Sequence, residues 1–349
     1  MKILRLLFLV VIAAATTSRA CDLCGCYTPQ LEGMPGMEAT SGPRWLTGWY
    51  AGVAEQFTHF STDRFDGHEV PNPTGEYLNS SITQIIIGRS LPILDDRFGI
   101  QIGLPFIDRD FKRPDGFAID RGNIFGLGDT TLVANFIAFR KQASFFDLNP
   151  SLAKDGKNPI PVFHEPDFSA IVNLTLGIKL PTGDTSRLKE NFHEIDIPGA
   201  PESGIGGHDL TLGTGSVDGI FGVQALVRYK LLFAQADAQY TLRSQGDYKY
   251  QFADDVSWSG GPGCYFLRQK ANSIGLQGVI SGETKGYDRF EGEPDTDTGV
   301  TAVYLGPRIL ANSGRWNGEI TVDIPVLMNT TQFQTSPSWR IRAGFSFRF

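Results

Sequence analysis

Apolar and polar residues alternate one by one along most of this chain. Between 98 and 106, Phe98, Ile100, Ile102, Leu104 and Phe106 take one parity, and Gly99, Gln101, Gly103 and Pro105 the other. Between 168 and 180 the apolar set is Phe168, Ala170, Val172, Leu174, Leu176, Ile178 and Leu180, facing away from Asn173, Thr175 and Lys179. Trp316, Gly318, Ile320, Val322, Ile324 and Val326 likewise oppose Asn317, Glu319, Thr321 and Asp323. The last stretch sets Trp339, Ile341, Ala343, Phe345, Phe347 and Phe349 against Arg340, Arg342, Gly344, Ser346 and Arg348. Side chains on a strand alternate faces, so each segment is a strand with one greasy and one polar side. Soluble sheets rarely put four aromatics on one strand face. A strand with lipid on one side and water on the other requires this pattern.

Twelve such segments are read along the chain: Trp45–Phe60, Ser81–Leu91, Phe98–Phe106, Asp129–Arg140, Phe168–Leu180, Leu210–Tyr229, Leu232–Arg243, Val256–Leu267, Ser273–Ser281, Val300–Leu310, Trp316–Leu327 and Ser338–Phe349. The links after the second, sixth, eighth and tenth are tight. Most others, such as Ser61–Tyr77, Ile107–Leu127 and Pro181–Asp209, are long and polar; Lys141–Pro166 breaks the short/long alternation. An even strand count puts both ends of the barrel on one side, with short turns in the periplasm and long loops outside. The expected fold is all-β: one antiparallel transmembrane β-barrel over residues 44–349.

The beginning of the chain agrees. Lys2 and Arg5 precede the apolar run Leu6–Ala15, and Ser18 and Ala20 suit the −3 and −1 places of a cleavage site, so residues 1–20 read as a secretory signal peptide. That run is too short to cross a bilayer as a helix. Residues 21–43, rich in Gly, Pro and Met, read as a periplasmic arm. A mean hydropathy of −0.13 suits a barrel, whose two faces cancel. The net charge of −7 argues against nucleic acid as a partner.

Gly126-Leu-Gly-Asp129, Gly177-Ile-Lys-Leu-Pro-Thr-Gly-Asp184 and Leu212-Gly-Thr-Gly-Ser-Val-Asp218, with Gly260-Gly261-Pro262 and the terminal Phe349, resemble a family of bacterial outer-membrane proteins. Its members are labelled transporters, or components of a phenol-degradation (MetA) pathway. The resemblance runs from about residue 80 to 349, and implies a barrel with a transport role. The ending also resembles the closing strand of outer-membrane barrels, whose terminal Phe is read by the insertion machinery. Taken alone, Pro181-Thr-Gly-Asp184 reads as a strand end at the membrane rim, with Pro stopping the ladder and Gly-Asp turning the chain.

Candidate chemistry is sparse. Cys21, Cys24 and Cys26 lie within six residues. They suit either disulfides in an oxidising compartment, with Cys264 as fourth partner, or a soft metal such as Cu(I) or Zn held as thiolates. Ser18 and Arg19 fit a lipoprotein signal at Cys21 poorly. Arg340, Arg342 and Arg348, with Arg89 and Gln101 on early strands, are read as lumen-lining. They either set the ion preference of a pore or fill a plugged interior by pairing with Glu55, Glu319 and Asp323. The loop acids Asp108, Asp110, Asp115, Asp120, Glu291, Glu293, Asp295 and Asp297 match no calcium-loop spacing and read as solvated charge. No nucleophile or nucleotide fingerprint is present, so no covalent chemistry is expected. The functional expectation is passage of small solutes, hydrophobic or aromatic ones among them, across the outer membrane of a Gram-negative-type bacterium. The alternative is a barrel that docks a periplasmic metal or electron-transfer partner through its cysteine arm.

Overall fold

The structure, a computed structural model, describes residues 48–349 apart from 92, 95–96, 144–145, 150–159, 164–167, 193–197 and 270–271. The leader and the cysteine arm therefore lie outside the described residues. Twelve long strands follow one another: β1 (Trp49–Phe65), β2 (Tyr77–Leu91), β3 (Phe98–Asp115), β4 (Thr130–Ala143), β5 (Phe168–Leu180), β6 (Asp218–Tyr229), β7 (Leu232–Leu242), β8 (Asp255–Gln269), β9 (Asn272–Lys285), β10 (Val300–Ser313), β11 (Trp316–Thr330) and β12 (Phe333–Arg348). Each pairs antiparallel with its neighbours in chain order, and β12 returns to β1, setting Tyr50 opposite Arg348 and Val53 opposite Phe345. The sheet is closed, so its polar backbone can sit in lipid without an edge.

Side-chain parity decides what faces where. Leu132, Leu174, Leu176, Ile178, Val223, Ile280, Ile309 and Ile320 are all exposed on the outside, which in a membrane is contact with lipid tails. Trp316 packs on Phe345 and Phe347 at 5.1 and 4.2 Å, and Phe347 meets Phe349 at 5.1 Å, an aromatic belt at the end where the chain terminates. Phe57 and Trp339 pair at 5.3 Å further up the wall. Amphipathic rings at both levels match the two membrane–water interfaces. Glu55 breaches this band, sharing the outer parity of Val53 and Phe57. Its carboxylate is cradled by the hydroxyls of Ser81 and Thr83, both at 2.5 Å.

The turns at the terminal end are short. Lys230–Leu231 joins β6 to β7 and Gly314–Arg315 joins β10 to β11, with positive φ at Lys230 (55°) and Gly314 (59°). The long link after β4 carries a small hairpin, Phe146–Asn149 against Ile160–Phe163. At the other end two expectations need correction. The span Ile107–Leu127 is not a loop: β3 runs on to Asp115, turns through Gly116 (φ 58°), and pairs with a further strand, Ala118–Leu127. Leu210–Tyr229 is not all strand either. Gly207–Leu210 is one helical turn and the wall begins only at Asp218, because the small polar residues between them bond to other loops rather than to a ladder.

The wall also has an unzipped seam. Pairing between β11 and β12 ends at Asp323 opposite Arg340, although β11 continues to Thr330 and β12 starts at Phe333.

Leu176→Arg, on the lipid face near the middle of β5, is expected to destabilise the barrel by about 2–4 kcal/mol. A urea titration of refolded barrel in phospholipid vesicles reads this as a lower midpoint; an unchanged midpoint would contradict the assignment of faces.

Candidate functional site: a stoppered lumen

The β5–β6 connection does not lie over the barrel mouth; it turns into the lumen. From Gly204 to Ser216 nearly every residue is buried. Ile205 and Leu210 pack on the inward side chains of Phe60, Leu78 and Phe111. Leu212 packs on Ile82 and Ile107. These apolar side chains form one greasy patch on a largely polar inner face, a second one (Leu226, Phe233, Tyr265 and Leu310) lying toward the termini, so the plug has its own apolar footing. Its removal from contact with water favours insertion by roughly 1.5–3 kcal/mol per large side chain.

The root of the plug is built by the three glycine-rich motifs together. Asp129 sits at the start of the β4 wall, Lys179 near the end of β5, and Thr214 and Asp218 at the entry to β6. Asp129 accepts the backbone N–H of Gly183 (3.0 Å), the N–H and hydroxyl of Thr214 (both 2.8 Å), and the Lys179 ammonium (3.1 Å). Lys179 also reaches Thr214 Oγ1 and Asp218, each at 2.8 Å. Arg243 bridges from Asp218 (3.0 Å) on to Asp255. All four charged groups of the Asp129–Lys179–Asp218–Arg243 chain are essentially shut off from solvent. Gly183 and Gly213 touch backbone to backbone, and a Cβ on either would come within 2.8 Å of the other. Here glycine is required by close approach.

The tip, residues 203–210, is held differently. Glu76, before β2, accepts the Ser203 hydroxyl (2.6 Å) and the Gly204 N–H (3.3 Å). Thr335 of β12 donates its N–H to Gly204 O at 3.0 Å, so the plug takes a hydrogen bond in the stretch where β11 and β12 are unpaired. Arg113 donates to Ile205 O (3.1 Å) while paired with Glu190 (2.7 Å) and Asp120 (3.3 Å). His208 stacks on Tyr250 and lies 3.3 Å from the Asp209 carboxylate. Burial pushes the Glu76 carboxyl up to about 7, against the opposing pull of its Ser203 hydrogen bond. Burial and a hydrogen bond shared with Asp297 push Asp295 up to about 7. Burial alone would lower His208, but the carboxylates of Asp209, Asp297 and Asp295 carry it above its ordinary value.

Nearer the termini, a second layer of charge crosses the lumen. Arg340 bonds Asp323 (3.2 Å) and Glu283 (3.4 Å) and lies 4.1 Å from the Tyr304 ring centroid. Arg342 bonds Asp323 at 2.8 Å, and Arg308 bonds Thr321 and Gln277. Glu319 is inward and acts on Asp237 of β7, across the barrel, as does Arg342. The facing wall is neutral: Gln101 accepts the Tyr50 hydroxyl (2.9 Å), and Asn135 accepts the Thr175 hydroxyl (3.0 Å).

Of the residues proposed for the lumen, Gln101, Arg340, Arg342 and Arg348 take inward positions, and the two central arginines are paired with Asp323. Arg89 has the outer parity of Ile85 and Ile87, and its guanidinium lies 5.5 Å from the Trp49 ring. It does not line the lumen. Glu55 also points outward and is not an arginine partner. Cys264 is exposed on the outer side of β8 with a free thiol; Cys21, Cys24 and Cys26 lie outside the described residues. Asp129, Lys179, Glu76 and the plug were not read as a site. The signal was available: Asp129 and Lys179 carry opposite charges at the ends of membrane strands, each beside a Gly-Asp or Pro-Thr-Gly turn.

Among solved structures, the COG4313 outer membrane channel from Pseudomonas putida F1 superposes with a TM-score of 0.50 at 13% identity, over 88% of this chain and 99% of that one. The beta domain of the Bordetella autotransporter BrkA gives 0.43 at 11% identity, over 87% and 100%. The fold is that of an outer-membrane barrel, and the lipid-facing band places the chain in an outer membrane. No protein-family model matches the sequence, and no curated protein matches it.

Lys179→Met leaves the Asp129 carboxylate buried without its cation and Asp218 with Arg243 alone, which is expected to cost about 3–5 kcal/mol at the plug root. Proteinase K added to intact cells should then cut within 203–217, a stretch without Lys or Arg; protection equal to the parent chain would show that the ion pair does not hold the plug.

Proposed function

We propose that this protein is a channel-like barrel that passes small solutes across the outer membrane, with the β5–β6 connection as its shutter. The observation that carries this reading is the construction of the lumen. Its wall is lined largely by polar side chains, with apolar clusters under the plug and toward the termini, and it is obstructed by a folded-in loop as well as by wall side chains. A purely structural barrel has no need of an inserted loop with its own anchoring ion pairs. The paired state of Arg340 and Arg342 favours a low-conductance path over a wide, anion-selective pore, since neither guanidinium presents an uncompensated charge.

The unzipped β11–β12 seam supports hydrophobic or aromatic solutes as cargo. Beside it Ile324, Val326 and Leu327 are exposed to the lipid side. An apolar solute that reached the seam could leave sideways into the bilayer without crossing the charged layer.

Replacing residues 203–212 by a short glycine linker while keeping the root is expected to raise single-channel conductance in planar bilayers severalfold over the parent chain. Equal conductance in both would mean that the charged layer, not the plug, closes the path; absence of any conductance in either would remove the aqueous-channel reading.

A further inference from the structure

The two ends of the plug are anchored by opposite kinds of chemistry. The root is an alternating chain of acid and base, Asp129, Lys179, Asp218, Arg243 and Asp255, in which each charge meets its opposite. The tip rests mainly on acids. From the β1–β2 loop Glu76 holds Ser203 and Gly204, and Asp63 of β1 stands behind it, bonded to the hydroxyl of the same Thr335 whose N–H binds Gly204. From the loop between β9 and β10, Asp295 and Asp297 face His208 and are in hydrogen-bonding contact with each other. Two buried carboxylates side by side are costly to ionise together.

The bases around the tip are paired with acids of their own, and Arg113 also donates to Ile205 O and draws the Glu76 carboxyl down. Arg113 is paired with Asp120 and Glu190, and Arg187 with Glu190 (2.6 Å). Lys285 is paired with Asp288 (2.6 Å). Arg109 of β3 is buried in the wall and has interactions of its own. His208 is the cation that the tip itself supplies, and Asp209 lies directly against it. Without protons, the seat sets Asp209, Asp295 and Asp297 around one imidazole and leaves Glu76 and Asp63 facing each other on the other side of the tip.

We propose that the plug tip is a proton-linked gate: its acidic seat holds residues 203–210 against the β11–β12 seam in acid and releases them as the medium becomes alkaline, while the root stays fixed. The sign follows from linkage. Glu76 and Asp295 titrate near 7 with the tip seated, and return to the ordinary carboxylate range once the tip leaves and water enters. The seated state therefore binds more protons, and its advantage is complete below the ordinary carboxylate range and lost as pH climbs through about 7. His208, raised when seated, shifts the balance the same way. Asp297 is held below its ordinary value, so its opposing contribution falls in stronger acid, outside this window.

The gate is distinct from conduction, so its test does not depend on the channel reading. Hydrogen–deuterium exchange of the full chain in phospholipid vesicles is compared at pH 5.5 and 8.5, using peptides from the tip (203–210) and the root (212–216). The ratio of the two cancels the intrinsic pH dependence of exchange. In the parent chain the tip is expected to lose protection relative to the root by on the order of tenfold at the higher pH. Glu76→Gln with Asp295→Asn mimics the protonated seat, and should shrink the change in the ratio between the two pH values to the part that His208 contributes. Unchanged exchange by strands β5 and β6 confirms that the variant is folded. A tip as well protected at pH 8.5 as at 5.5 in the parent chain, or a pH response undiminished by the double substitution, would overturn the proposal.

Discussion

The interior of this barrel depends on one buried ammonium. Lys179 sits at the outer end of β5 between two carboxylates, Asp129 and Asp218, that the wall contributes from β4 and β6. Each would be costly to bury alone, and the three are tolerable together because Thr214 and the Gly183 N–H saturate the remaining lone pairs of Asp129. With that cluster formed, the chain leaving β5 must pass close to the chain entering β6. Gly183 against Gly213 then fixes the connection pointing inward. The plug follows from the position of the cluster; its apolar contacts with Phe60, Leu78, Phe111, Ile82 and Ile107 stabilise a path already set.

Much of the wall was legible because lipid imposes a strict rule. A strand residue faces either hydrocarbon or the lumen, so Leu174, Leu176 and Ile178 against Asn173, Thr175 and Lys179 could be assigned without a partner. The same rule, applied to Phe98 through Phe106 or Trp316 through Val326, gives strands whose faces the structure retains. It weakens where a strand leaves the bilayer. Beyond Phe106, lipid no longer distinguishes the two sides, the pattern turns mixed, and the hairpin of β3 with Ala118–Leu127 reads as loop. Arg89 misleads for a related reason: at the rim a long cation can lie along the outer face against Trp49 with its charge at the interface.

The plug was illegible for a different reason. Period-two patterning reports on strands, and residues 203–216 are held by contacts between segments far apart in sequence. Their glycines and small hydroxyl residues look like ordinary turn punctuation. The motifs that carried a family resemblance were read separately as rim turns; their meaning lies in convergence, which no single stretch displays. The pairing of Arg340 and Arg342 with Asp323, by contrast, was open to reading, since β11 and β12 are adjacent and their polar faces share one side.

The placement of the root has a consequence for assembly. Asp129, Lys179, Asp218 and Arg243 come from four consecutive strand ends, whereas closure joins Tyr50 to Arg348, nearly the whole chain apart. Contacts local in sequence form sooner than distant ones, because less chain entropy is lost in making them. The root of the stopper can thus take shape on an open sheet, before the first and last strands meet. A barrel built in this order closes around a stopper whose root is already in place.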